Sequence, residues 1–292
     1  MTINELRGLA EEKRQLMIEL TGQMVAIPSI NPAMGGSGEY RLAQWLEKLL
    51  DSYGIPYEEF SVPDPRVAEG RRVTVIVKLP GTEETDKTLW FISHTDTVSP
   101  GALSAWDTDP FQMKLKDGKL YGLGAEDNGQ GIICSLAALL ILWERNLRAR
   151  CNIGFMFVPD EETGSAYGFK ALAESGYFAS KDEAIIPDGG QADGAFVEVA
   201  EKSFFLLKVN TSGKQAHAAS PLSGINAFSI GSRFLVEAED TLKERFCTAN
   251  PLFDPPFSTF EPTQKFANVE SHNIIPGEDS FLFDMRILPE VD

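Results

Sequence analysis

Apolar positions along this chain change their spacing several times, and each change marks an element. Residues 5–26 repeat apolar side chains at helical spacing and predict an opening helix, ended by Pro28. The irregular segment Ile27-Pro28-Ser29-Ile30-Asn31-Pro32 and the glycine-rich turn Gly35-Gly36-Ser37-Gly38 come next. A second helix is expected over 39–52, with Gly54 as its stop. Residues 72–79 and 88–93 are β-branched and aromatic runs parted by the Pro80-Gly81 turn, hence strands. A long apolar helix over 128–146, a buried strand over 152–158, a helix over 165–174 and a short strand over 184–186 continue the alternation. Strands alternating with helices predict a layered α/β domain.

Near residue 200 the order changes. A strand over 203–211, a long helix over 221–246 and two strands over 264–271 and 280–288 predict a small, separate α+β domain. The expected division is therefore 1–199 and 200–292.

Composition narrows the partners. With 292 residues and 43% hydrophobic content the chain can bury a real core. A net charge of -17 and a pI near 4.6 argue against nucleic acid or an anionic membrane, because phosphate binding needs a basic footprint. Cys134, Cys151 and Cys247 show neither zinc-ribbon spacing nor a disulfide framework, as expected of buried thiols in a reducing compartment. The charged N-terminus lacks the apolar core of a signal peptide, and no stretch approaches the roughly 20 apolar residues of a membrane span. The expected location is cytoplasmic.

Candidate chemistry gathers where predicted strands end. His94 follows the apolar run Leu89-Trp90-Phe91-Ile92-Ser93, and Asp96 lies two residues on. A lone histidine there is usually structural, but a carboxylate that accepts the second ring N–H orients a metal-ligating imidazole. Asp127 precedes the long helix, where it could cap the helix or bridge two metals. Asp160-Glu161-Glu162 follows the buried strand over 152–158; three acids there repel one another unless cations offset them. Asp188, after the next short strand, offers a further oxygen. No Gly-x-Ser-x-Gly elbow, dinucleotide fingerprint or Walker lysine is present. Imidazole and carboxylate groups at strand ends point to a metal-dependent hydrolase.

His94-Thr95-Asp96-Thr97-Val98, Gly122-Leu123-Gly124-Ala125-Glu126-Asp127-Asn128 and Pro159-Asp160-Glu161-Glu162-Thr163-Gly164-Ser165 resemble, in order and separation, three successive motifs of the M20 metallopeptidase family. The resemblance implies a zinc-exopeptidase-like catalytic domain with a mixed, mainly parallel sheet, and a ferredoxin-like lid and dimerisation domain. It implies two zinc ions, with cobalt or manganese as alternatives: His94 and Asp188 on one, Glu162 on the other, and Asp127 bridging. Glu161 would be the general base and Asp96 the acid behind His94. Gly213-Lys214-Gln215-Ala216-His217-Ala218-Ala219-Ser220 resembles the lid segment whose histidine reaches a partner subunit's site. Asn273-Ile274-Ile275-Pro276 and Asp284-Met285-Arg286 resemble the segments whose Asn273 and Arg286 would contact a substrate carboxylate. The implied activity is deacylation of an N-acyl amino acid, as in a deacetylase or desuccinylase, by a homodimer; a di- or tripeptidase or carboxypeptidase is the alternative. The family also closes with a last zinc-binding histidine. Neither His217 nor His272 matches it, so a C-terminally truncated chain is expected, one metal ligand short and with an incomplete lid; an inactive fragment is the further alternative.

Overall fold

Two apolar layers on either side of one sheet decide how the first part of the chain folds. The computed structural model describes residues 2–191 and 195–291, which divide into the units Met1–Gly189 and Gly190–Asp292. The first unit opens with α1 (Ile3–Glu12), α2 (Arg14–Val25) and α3 (Tyr40–Ser52). Strands β1 (Glu58–Pro63), β2 (Arg71–Leu79) and β3 (Thr88–His94) follow, then the hairpin β4 (Lys114–Lys116) and β5 (Lys119–Tyr121). Helix α4 (Gly129–Glu144), β6 (Asn152–Val158), α5 (Phe169–Glu174) and β7 (Glu183–Ile185) complete it.

The main sheet has the order β1-β2-β6-β3-β7. β1–β2 and β2–β6 are antiparallel, whereas β6–β3 and β3–β7 are parallel. Side chains alternate between its faces. Val73, Val75, Val77, Phe155 and Phe157 join Leu46, Leu50, Ile132, Leu136 and Leu140 of α3 and α4 in one core. Ile76, Trp90, Ile92, Met156 and Val158 join Leu172 of α5 in the other. Burial on both faces explains why β2, β3 and β6 read as continuous apolar runs.

Gly154 is required where the second layer is tightest. It pairs with Trp90, and a Cβ built there would lie 2.0 Å from Trp90 Cε3. Gly154→Ala is expected to destabilise the unit by about 2 kcal/mol or more through overpacking. A chemical-denaturation midpoint unchanged from the parent chain would refute that.

The second unit holds β8 (Ser203–Ser212), β9 (Ala216–His217), α6 (Ala227–Arg245), β10 (Thr259–Lys265), β11 (Ile274–Ile275) and β12 (Glu278–Ile287). β12 lies between β10 and β8, antiparallel to both, and the short pair β11–β9 stands apart. Phe260, Phe281, Phe283 and Leu288 are buried in this α+β unit.

The expected elements are present, with four shifts of boundary. The opening helix breaks into α1 and α2 at Lys13, whose N–H turns back to Ala10. The helix expected from residue 165 starts only at Phe169, because residues 160–168 form a bonded turn. The helix expected from residue 221 starts at Ala227, where the Asn226 side chain accepts the Ser229 N–H as its cap. The strand expected over 264–271 is β10 at Thr259–Lys265. Pro262 sits at a bulge on this edge strand, which is where a sheet tolerates proline. Among the described residues no helix is long and apolar enough to cross a membrane.

Candidate metal centre

The parallel pairing of β3 with β6 and β7 brings three strand ends to one edge of the sheet. His94 ends β3 opposite Val158 of β6, so the turn after β6 begins beside it. β7 runs along the other side of β3 and leads through Pro187 to Asp188. Carboxyl ends of parallel strands are where an α/β sheet exposes its chemistry. Asp127 arrives from the loop before α4. The residue at the cap position of α4 is Asn128, so Asp127 is free of the capping role. Gly131 in the first turn of α4 lets the β7 loop come close: a Cβ there would lie 2.3 Å from Asn128 Oδ1 and 2.5 Å from Pro187 O.

One imidazole faces four carboxylates. His94 Nε2 lies 2.8 Å from Asp127 Oδ1, 3.5 Å from Asp188 Oδ2 and 3.8 Å from Glu161 Oε2. On its other side Nδ1 lies 2.9 Å from the Asp96 carbonyl oxygen and 3.5 Å from Asp96 Oδ1. The Asp96 backbone is thus the nearer partner, and its carboxylate turns mainly elsewhere. It accepts the N–H groups of Glu161 at 2.9 Å and Glu162 at 3.2 Å. His94 and Asp96 are buried, whereas the Asp127 side chain is 60% exposed.

The electrostatics favour positive charge at this point. Burial alone would push the His94 imidazole down, but the carboxylates of Asp188 and Asp96 beside it raise it to about 11. The hydrogen bond to His94 holds Asp188 below the usual carboxylate range against partial burial, helped by Asn128. Glu161 is raised by burial in spite of His94, and Glu162 is raised to about 7, by burial first and then by Asp127.

Residues fit for a cation are therefore present. His94, Asp127 and Asp188 each offer a ligand atom, all within 4.8 Å of one another. Glu162 Oε1 is buried and has no hydrogen-bond partner, a donor atom left over for something other than protein. An N and O ligand set of this kind suits a divalent transition metal.

The second unit carries the remaining predicted residues. Pairing of β9 with β11 sets His217 opposite Ile274, with His217 Nε2 3.5 Å from Asn273 Nδ2. Arg286 is engaged otherwise: its guanidinium bonds both oxygens of Asp284, at 2.8 and 3.2 Å, and lies 4.2 Å from the centre of the Phe204 ring.

Four further residues support the first unit's site and were not singled out from the sequence. Asn128 donates to Pro187 O at 3.0 Å and so fixes the approach of Asp188. Buried Arg72 bonds Glu39 and lies 3.3 Å from Asp64 and 3.5 Å from Asp160. Burial pushes Glu39 up to about 7 against the pull of Arg72. Asn31 joins Asp96 to Asp160. Only Asn31 left a local trace, since Asn before Pro commonly caps a turn, and its Oδ1 does accept the Ala33 N–H.

Comparison with known proteins gives the family and the fold. Residues 90–199 match the profile of peptidase family M20/M25/M40, and residues 199–292 match that of the peptidase dimerisation domain. The chain is 40% identical over 282 residues to an uncharacterized metallohydrolase of Methanocaldococcus jannaschii, covering 93% of this chain and 68% of that one. It is 28% identical over 275 residues to the succinyl-diaminopimelate desuccinylase of Wolbachia pipientis, covering 92% and 64%. The crystal structure of a tripeptidase from Staphylococcus aureus shares the fold, with a TM-score of 0.66 at 20% identity, over 94% of this chain and 67% of that one. The chain thus spans about two thirds of the length of these relatives.

Proposed function

From a chain that belongs to peptidase family M20/M25/M40, metal-dependent hydrolases of amide and peptide bonds, we propose hydrolysis of the amide bond of an N-acyl amino acid at a zinc site. The observation that carries the reading is the crowding of Asp96, Asp127, Glu161 and Asp188 around one imidazole. Carboxylates so placed repel one another, and a cation resolves the repulsion.

His94, Asp127 and Asp188 would hold one zinc, and Glu162 with Asp127 would hold a second; cobalt or manganese suits the same donors. Zinc bound there acidifies water to a pKa of about 7 and polarises a carbonyl. The chain's own residues do the rest. Glu161 takes the proton of the attacking water and returns it to the leaving nitrogen. Its raised proton affinity and half-exposed carboxylate suit that exchange. Asp96 orients His94 and, through two backbone N–H groups, the turn that carries Glu161. His217, supplied across a homodimer, would donate to the developing oxyanion. Asn273 and Arg286 would receive a substrate carboxylate, with Asp284 yielding part of its hold on Arg286. In this reading residues 1–199 are the catalytic domain and 200–292 the lid and dimerisation domain.

The desuccinylase relative favours an acylated, carboxylate-bearing substrate. The structural match to a tripeptidase favours the runner-up, a short-peptide hydrolase. A panel of N-succinyl and N-acetyl amino acids against di- and tripeptides separates the two. The acyl series is expected to turn over at least 10-fold faster, with about two zinc ions per chain and loss of turnover after chelation. Faster cleavage of peptides would establish the runner-up. Bound metal without turnover of either series would overturn the enzymatic reading for this chain.

A further inference from the structure

Behind the turn that carries Glu161 and Glu162 lies a run of buried polar groups that the roles above leave unused. Its centre is Asn31, wholly buried on the irregular segment between α2 and α3. The Asn31 side-chain amide has two hydrogens, and each serves a different carboxylate. Nδ2 donates to Asp96 Oδ2 at 2.7 Å and to Asp160 Oδ1 at 3.1 Å. Oδ1 accepts the Ala33 N–H at 2.9 Å, which fixes which way the amide points.

The two carboxylates have complementary tasks. Asp96 lies behind His94 and accepts the backbone N–H groups of Glu161 and Glu162. Asp160 sits in the left-handed region at φ 71°, a conformation a non-glycine residue keeps only where its surroundings over-determine it. Those surroundings are explicit. Asp160 accepts from Thr163 Oγ1 at 2.8 Å and the Tyr167 N–H at 3.1 Å, and lies 3.5 Å from the Arg72 guanidinium. Without the Asn31 amide, two buried acids would approach each other with no donor between them.

We propose that Asn31 is a positioning residue that ties the acid behind His94 to the acid that fixes the Glu161–Glu162 turn, so that ligands and base share one frame. The inference deepens the metallohydrolase reading and rests on it. Asn31 touches no reacting atom; it acts through Asp96 and Asp160.

Two substitutions in the full chain test this. Asn31→Asp keeps the shape and an acceptor for Ala33 but turns the donor into an acceptor, whereas Asn31→Ala removes the group. Both are expected to weaken zinc binding, measured by competition with a chelator, by about 10- to 100-fold. Asn31→Asp is expected to be at least as damaging as Asn31→Ala. In metal-free protein the amides of Glu161 and Glu162 are expected to exchange with solvent at least about 10-fold faster in both variants. Leu46→Ala, in the buried core, is the control, expected to lower stability without moving either readout. An Asn31→Asp variant with parental zinc affinity and parental exchange would overturn the proposal and leave Asn31 a packing residue. Failure of the parent chain to bind zinc would overturn the metal reading instead; exchange at Glu161 and Glu162 would then decide the role of Asn31 alone, faster exchange supporting it and parental exchange refuting it.

Discussion

Glu161→Gln is expected to lower kcat by about three orders of magnitude while the zinc content of the chain stays unchanged. Glutamine keeps the volume and the backbone N–H that Asp96 accepts, so the turn keeps its place. What it loses is the carboxylate oxygen able to carry a proton between water and the leaving nitrogen. Glu161 also stands outside the His94–Asp127–Asp188 group whose atoms converge, so metal affinity has little reason to follow it. Turnover at saturating substrate and elemental analysis of the same sample give both numbers. Loss of metal in step with loss of rate would remove the base role and make Glu161 a ligand.

The second large effect is on stability. Arg72→Ala is expected to destabilise the first unit by about 3–5 kcal/mol, because it strands buried carboxylates that share one cation. Glu39, Asp64 and Asp160 all contact the Arg72 guanidinium, and all of them are buried. Arg66 offers the matching control: it bonds Asp64 as well, at 2.7 Å, but is 39% exposed. Its removal is expected to change stability by less than about 1 kcal/mol. Equal losses for the two arginines in urea unfolding would show that burial does not set the worth of this cluster.

How far the sequence could be read follows from how local each signal is. β2, β3 and β6 announced themselves because their apolar runs are contiguous, and α4 because 16 residues keep one pattern. β1 was not anticipated, since Glu58-Glu59-Phe60-Ser61-Val62-Pro63 is a half-exposed edge strand with mixed polarity. The hairpin β4–β5 was missed for the same reason: its lysine-rich strands expose nearly every side chain. In the second unit, proline at 262 hid an edge strand that a bulge accommodates.

The site divides along the same line. His94, Asp127, Glu161, Glu162 and Asp188 could be named because each lies at the end of a predictable element and carries a reactive group. Arg72 and Glu39 could not, because nothing near them in the chain explains them, and Asn31 showed only its turn-capping place before Pro32. Asn31 meets Asp96 across 65 positions and Asp160 across 129, and Arg72 meets Asp160 across 88. Apolar spacing and motif order, which are properties of neighbouring residues, determined that this chain forms an α/β unit followed by an α+β unit and which residues are candidates for a metal. Which oxygen faces His94, which carboxylate holds the turn and which amide joins them was decided only by the folded packing, because those bonds form between segments that burial brings together.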